Sequence, residues 1–174
     1  MAWGKNGTPE TLTGTDDNIE VTSMGGKKFN VILSHTFASG DMASYMSFNS
    51  STASEYARRQ SENGGTDATG INATDVVLDT GGDANDKFEM HYICGISGEE
   101  KLAIGFGINR NTAGAGTAPV RGEYAWKWAN TATITTIEND TSAQSGTYAI
   151  SSNISALGSD ITTAAEISFA ENAQ

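Results

Sequence analysis

Apolar and polar positions alternate with period two over much of the chain, most densely between Lys87 and Ile108. Phe88, Met90, Tyr92, Cys94 and Ile96 share one side of a first run, and Leu102, Ile104, Phe106 and Ile108 share one side of a second. Such spacing belongs to strands whose two sides meet different surroundings. Ser97-Gly98-Glu99-Glu100 between the runs predicts the turn of a hairpin. The apolar set is read as facing the core. The small, mixed set (Lys87, Glu89, His91 and Ile93 opposite Lys101, Ala103, Gly105 and Gly107) is read as lying near another sheet or another subunit.

The same period recurs at short intervals. Ile19 and Val21 predict a short first strand, and Phe29, Val31, Leu33, His35 and Phe37 a longer second one. Met42, Ser44, Met46 and Phe48 predict a third, joined to the second by a hairpin-length connection, Ala38-Ser39-Gly40-Asp41. Ser54 to Gln60 fits a strand or one helical turn, and the polar, Gly-rich stretch from Gln60 to Asn72 is read as a loop. Val76 to Leu78, Glu123 to Trp128, Ala132 to Glu138 and, more faintly, Thr147 to Ile150 complete the set. No segment of helical length shows a 3.6 period. Eight to ten strands with closely spaced turn signals predict an all-β protein: an antiparallel β-sandwich of jelly-roll type in a single domain. Residues 1–17, rich in Gly, Thr and Asp, are expected as an N-terminal arm or loop; residues 18–158 as the sandwich; and residues 159–174 as a C-terminal arm or last strand.

Length and composition agree with that picture. A chain of 174 residues can bury a core without disulfides or metals, and its one cysteine, Cys94, has no partner for an internal disulfide and is expected as a small buried hydrophobe. The opening residues lack the apolar core of a signal peptide, and no stretch approaches the roughly 20 apolar residues of a membrane helix. The net charge of −11, with acids scattered along the chain, argues against nucleic acid as a partner, because phosphate contacts need clustered Lys and Arg. Neither membrane nor nucleic acid is expected as a partner.

Candidate chemistry is sparse. Asp79 to Asp86 gathers three carboxylates and an amide, but it lacks the spacing of a calcium loop and reads as a turn. His91 and Cys94, three apart on a strand, point to opposite faces and cannot share a zinc ion. No serine sits in a nucleophile elbow, and Gly105-Phe106-Gly107 lies inside a strand rather than at a helix start. The expectation is therefore no enzyme, no metal and no cofactor. Tyr124, Trp126 and Trp128 share one strand face. Burial is the first reading, since each ring can remove roughly 150–250 Å² from water. Sugar stacking and subunit contact stand beside it, with Arg110 and Arg121, flanking the small-residue loop 109–121, as further candidate contacts.

Several segments together resemble small proteins encoded in tailed-phage genomes, especially marine ones. They are Gly4 to Thr8, Arg59 to Thr69, Gly98 to Leu102, Asn111 to Arg121, Lys127 to Asn130 and Ser152 to Asp160, so that the resemblance runs along nearly the whole chain. It carries no catalytic residue over. It implies a structural protein of the virion, assembled in the host cytoplasm, with other virion proteins (a major capsid protein or tail proteins) as partners. A capsid decoration subunit acting as a homo-oligomer, expected as a trimer, is the leading expectation. A receptor- or glycan-binding module of a tail tip or fibre and a tail-tube subunit are the alternatives.

Overall fold

The computed structural model describes residues 3–78, 84–141 and 145–160. In chain order its strands are β1 (Gly4–Lys5), β2 (Glu10–Thr11), β3 (Asn18–Val21), β4 (Phe29–Thr36), β5 (Ala38–Ser39), β6 (Tyr45–Phe48), β7 (Tyr56–Glu62) and β8 (Ala68–Ala73). There follow β9 (Val76–Val77), β10 (Lys87–Cys94), β11 (Lys101–Asn109), β12 (Val120–Trp128), β13 (Ile137–Asp140), β14 (Thr147–Tyr148) and β15 (Asn153–Ser159). Among the described residues there is no helix. The chain is all-β and antiparallel, as its period-two patterning requires.

One sheet of nine strands runs β1-β15-β4-β10-β11-β12-β7-β8, with β2 also on β15; a second, of four strands, runs β3-β13-β6-β9; and β14 pairs with β5. The sheets pack face to face. Ile19, Val21, Met46, Phe48 and Ile137 of the small sheet meet Ile32, Ile93, Trp126, Trp128 and Ile154 of the large one in a single buried cluster. Phe48 joins the layers, its ring centroid 5.2 Å from that of Trp126 and 5.4 Å from that of Trp128. Its backbone N–H donates to the Tyr56 hydroxyl at 2.8 Å. Such aromatic contacts add to the stabilisation from area alone.

The hairpin β10–β11 forms with Cys94 opposite Leu102 and Lys87 opposite Asn109. Its two faces, however, are reversed from the expectation. Lys87, Glu89, His91, Ile93, Lys101, Ala103, Gly105, Gly107 and Asn109 are buried, while Phe88, Tyr92, Leu102, Ile104, Phe106 and Ile108 are exposed. The same holds on β4, whose inner residues are Asn30, Ile32, Ser34 and Thr36 rather than the Phe29-Val31-Leu33 set. Size explains the reversal. In register, Ala103 lies beside Trp126 and Gly105 beside Tyr124, so the inner positions of β11 are small where the rings of β12 lie across them. A Cβ on Gly105 would also come within 2.1 Å of His91 Nδ1, so the glycine leaves room for that ring. Cys94 falls on the outer face, half-buried, and His91 on the inner one.

Other expectations shift more modestly. The second and third strands do not form a hairpin: β4 lies in the large sheet and β6 in the small one, so the chain crosses between layers. The stretch expected as a loop after Gln60 is a hairpin between β7 and β8. Its turn has Asn63 and Gly64 at φ of 51° and 72°, the pair of positive φ values that primed turns need, closed by Gly65 N–H donating to Glu62 O at 2.8 Å. Residues expected as an N-terminal arm are stitched in: β1 and β2 pair with β15, and Leu12 is buried in the core. Asn6, also buried, donates to Asn30 Oδ1 at 2.8 Å and accepts from Gly25 N–H at 2.8 Å. The C-terminal expectation meets β15 and Asp160, which accepts from Lys27 Nζ at 2.9 Å; residues 161–174 lie outside the described residues. Most of the carboxylate-rich segment, Asp79 to Asp83, also lies outside them.

Candidate binding face

The outer side of the large sheet is the site that the fold assembles. Three central strands present four rows there: His35, Phe88 and Ile108; Leu33, Met90 and Phe106; Val31, Tyr92 and Ile104; Phe29, Cys94 and Leu102. Eleven of these twelve positions carry apolar side chains. Leu157 extends the third row on β15, and Trp3 stands beside the fourth. Trp3, Phe88, Tyr92, Leu102, Ile104, Phe106, Ile108 and Leu157 are each 39–57% exposed. Together they show on the order of 700 Å² of apolar surface, above the few hundred Å² usual for a contiguous patch on a monomer.

The face has relief. At the Cys94–Leu102 end, Trp3, Phe29, Tyr92, Cys94, Leu102 and Ile104 line an open apolar concavity of about 330 Å³. At the other end Phe88, Phe106 and Ile108 are 45–49% exposed. Along β12 and β7 the face is bordered by ion pairs: Arg59 with Asp67 at 2.8 Å, Arg121 with Glu123 at 3.4 Å, and Lys127 with Glu100 at 2.8 Å. Exposed pairs of this kind contribute little stability, but they leave the border close to neutral.

The opposite side of the molecule differs. On the outer side of the small sheet Glu20 and Glu138 are cross-strand neighbours, with Asp140 two residues further along β13. Partial burial and the nearby carboxylates of Asp140 and Glu20 raise the pKa of Glu138. Three acids thus gather on that side, and the contiguous apolar face lies on the other.

The residues singled out by sequence separate. Trp126 and Trp128 are 4% and 1% exposed, and Tyr124 is half-buried, donating from its hydroxyl to Leu78 O. This corrects the sugar-stacking and subunit-contact readings for the two tryptophans: both rings are used by the core. The Asn130 amide, and with it the Trp128 indole N–H, which donates to Glu55 Oε2 at 3.0 Å, hold the Glu55 carboxyl below its ordinary pKa. Trp126 Nε1–H donates to His91 Nδ1 at 3.4 Å. That contact places the imidazole proton on Nε2, which is buried with no partner among the described residues. Burial lowers the His91 pKa to about 4.

Arg110 and Arg121 are both exposed, Arg110 paired with Asp86 at 2.8 Å. They flank the 109–121 loop at the Phe88–Ile108 end of the outer face, and Arg121 and Ile108 are register partners. Reading the pattern alone named the residues of the face but assigned them to the core. A signal for the correct side was present. Bulky rings at 124, 126 and 128 need small neighbours on their own face, and the neighbouring strand offers only Ala103, Gly105 and Gly107.

Against protein-family models, curated proteins and solved structures, the chain shows no match. Among the described residues, no group of three or more His, Cys, Asp or Glu side chains is placed to hold a metal ion. No helix among them is long and apolar enough to cross a membrane. What the face can do follows from its composition: it can exclude water against a complementary surface.

Proposed function

We propose that this chain is a structural protein of a tailed-phage virion, a capsid decoration subunit that stabilises the shell as a homo-oligomer through contacts with neighbouring virion proteins. One observation carries the reading. A rigid antiparallel sheet, well packed on its inner side, turns an apolar face to solvent that a partner must cover. A subunit that binds only the assembled shell raises its stability by mass action, with no chemistry required. The extended resemblance to phage-encoded proteins supplies the context.

The test is a density map of a virion that carries the chain. The expected result is density for the sandwich at the junctions between capsomers, with disassembly of the particle at a lower temperature when the chain is omitted. Density confined to the distal tail would overturn the decoration role in favour of a tail role.

A further inference from the structure

We propose that the outer face of the large sheet is closed by a second copy of this chain, packed face to face about a twofold axis that crosses the strands between the Met90–Phe106 and Tyr92–Ile104 pairs. The proposal rests on the reading above only in taking the face as an assembly surface, and three observations lead from that face to a second copy.

The first is area. The exposed apolar surface, on the order of 700 Å², is close to the roughly 800 Å² that each partner buries in a standard-size interface. A face-to-face pair covers it, and contacts with the shell are left to the remaining surface of each copy.

The second is charge. Two chains of net charge −11 repel one another unless they meet where charge is balanced. The outer face is bordered by the Arg59–Asp67, Arg121–Glu123 and Lys127–Glu100 pairs, so it meets that condition. Glu20, Glu138 and Asp140 lie on the small sheet, at the far side of the sandwich. Face-to-face packing keeps those acids of the two copies apart.

The third is shape. A twofold axis demands that one patch complement itself. Here the concavity lies at the Leu102 end of the face, and Phe88, Phe106 and Ile108 lie exposed at the other. A twofold axis across the strands exchanges the ends, so Phe88, Phe106 and Ile108 of each copy lie over the apolar concavity of its partner. A threefold arrangement is heterologous and would set this face against a different surface of the next copy.

The experiment is sedimentation velocity on the full chain at about 1–100 µM, beside the variants Phe106→Asp and Ile150→Asp. Phe106 is 47% exposed within the face; Ile150 is 59% exposed and outside the large sheet. The expected result is a two-chain species that Phe106→Asp weakens at least 100-fold while Ile150→Asp leaves it intact. Leu102→Lys, at the concavity end, is expected to do the same and serves if Phe106→Asp does not fold. A monomer throughout the range overturns the proposal, as does a dimer indifferent to both face variants.

Two further outcomes also overturn it by naming another occupant. One is a monomeric chain that dimerises only after deletion of residues 161–174. The other is a monomeric chain that floats with vesicles of anionic phospholipid. Because the isolated chain is measured, a monomer overturns the twofold pair and leaves the decoration role to the particle map. A dimer that is absent from the shell does the reverse.

Discussion

The two faces of the nine-stranded sheet invert the usual division of labour. Its inner face holds Lys87, Glu89, His91 and Lys101 beside glycines, and its outer face holds Phe, Tyr, Leu and Ile. Hydrophobicity alone would put the second set inside. The inner face is nevertheless the true core, because its volume is filled by a few large rings: Trp126 and Trp128 from β12, Tyr56 from β7 and Phe48 from the facing sheet. Close packing rewards fit rather than the apolar character of every residue. Small positions beside the rings, and polar groups most of which reach a partner, complete the layer. Lys101 shows how: its ammonium is buried but donates to the carbonyl oxygens of Ile96 and Glu99, tying down the hairpin turn. The outer face obeys no such constraint, and its apolar character is available for a partner.

Substitutions that separate the faces test this contrast, beginning with the largest effect. Trp128→Ala removes a fully buried ring and should cost about 3–5 kcal/mol in denaturant unfolding, as large-to-small changes in a core do. If that cost is no greater than that of the neighbouring outer change Lys127→Ala, the ring is not part of the core.

The next contrast is with pH. His91 is neutral when folded, its pKa lowered by burial to about 4, against about 6.5 when unfolded. Between these values the unfolded chain binds the additional proton, so stability falls as pH drops from about 6.5 to 4 and then levels off. The loss attributable to His91 is up to about 3 kcal/mol. Thermal melts over that range should show a steeper fall for the native chain than for His91→Gln. Parallel curves would mean that the imidazole is accessible to water.

Gly105→Ala should cost about 1–3 kcal/mol, because the new methyl group would press on the His91 ring and overpacked cores are strained. Its outer neighbours give the smallest effect. Ile104→Ser or Phe106→Ser, measured at a dilution where chains are separate, should stay within about 0.5 kcal/mol of the native chain. Should either cost as much as Trp128→Ala, the faces have been assigned the wrong way round.

Legibility in the sequence followed the range of the interactions involved. Ile19, Val21, Met46 and Phe48 alternate in strands whose apolar side does face the core, so pattern and structure agree there. Asn63-Gly64 was a local signal for a hairpin, visible in the sequence but masked by the polar residues around it. The inversion of β4, β10 and β11 was of another kind, because alternation marks two unlike faces without saying which is inside. Among the named site residues, Tyr124, Trp126 and Trp128 were rightly grouped on one face. Their burial depended on Phe48 and Tyr56, which come from other strands.

By itself, then, the sequence determined the central strands β4, β10, β11 and β12, their antiparallel pairing class and the presence of two chemically distinct faces, because period two is a property of the extended backbone and needs no partner. The tertiary structure decided which face became core and which was left for assembly. That choice depends on the volumes that meet across two sheets. Only register and packing bring Gly105 to Tyr124, Ala103 to Trp126, and Phe48 to both tryptophans.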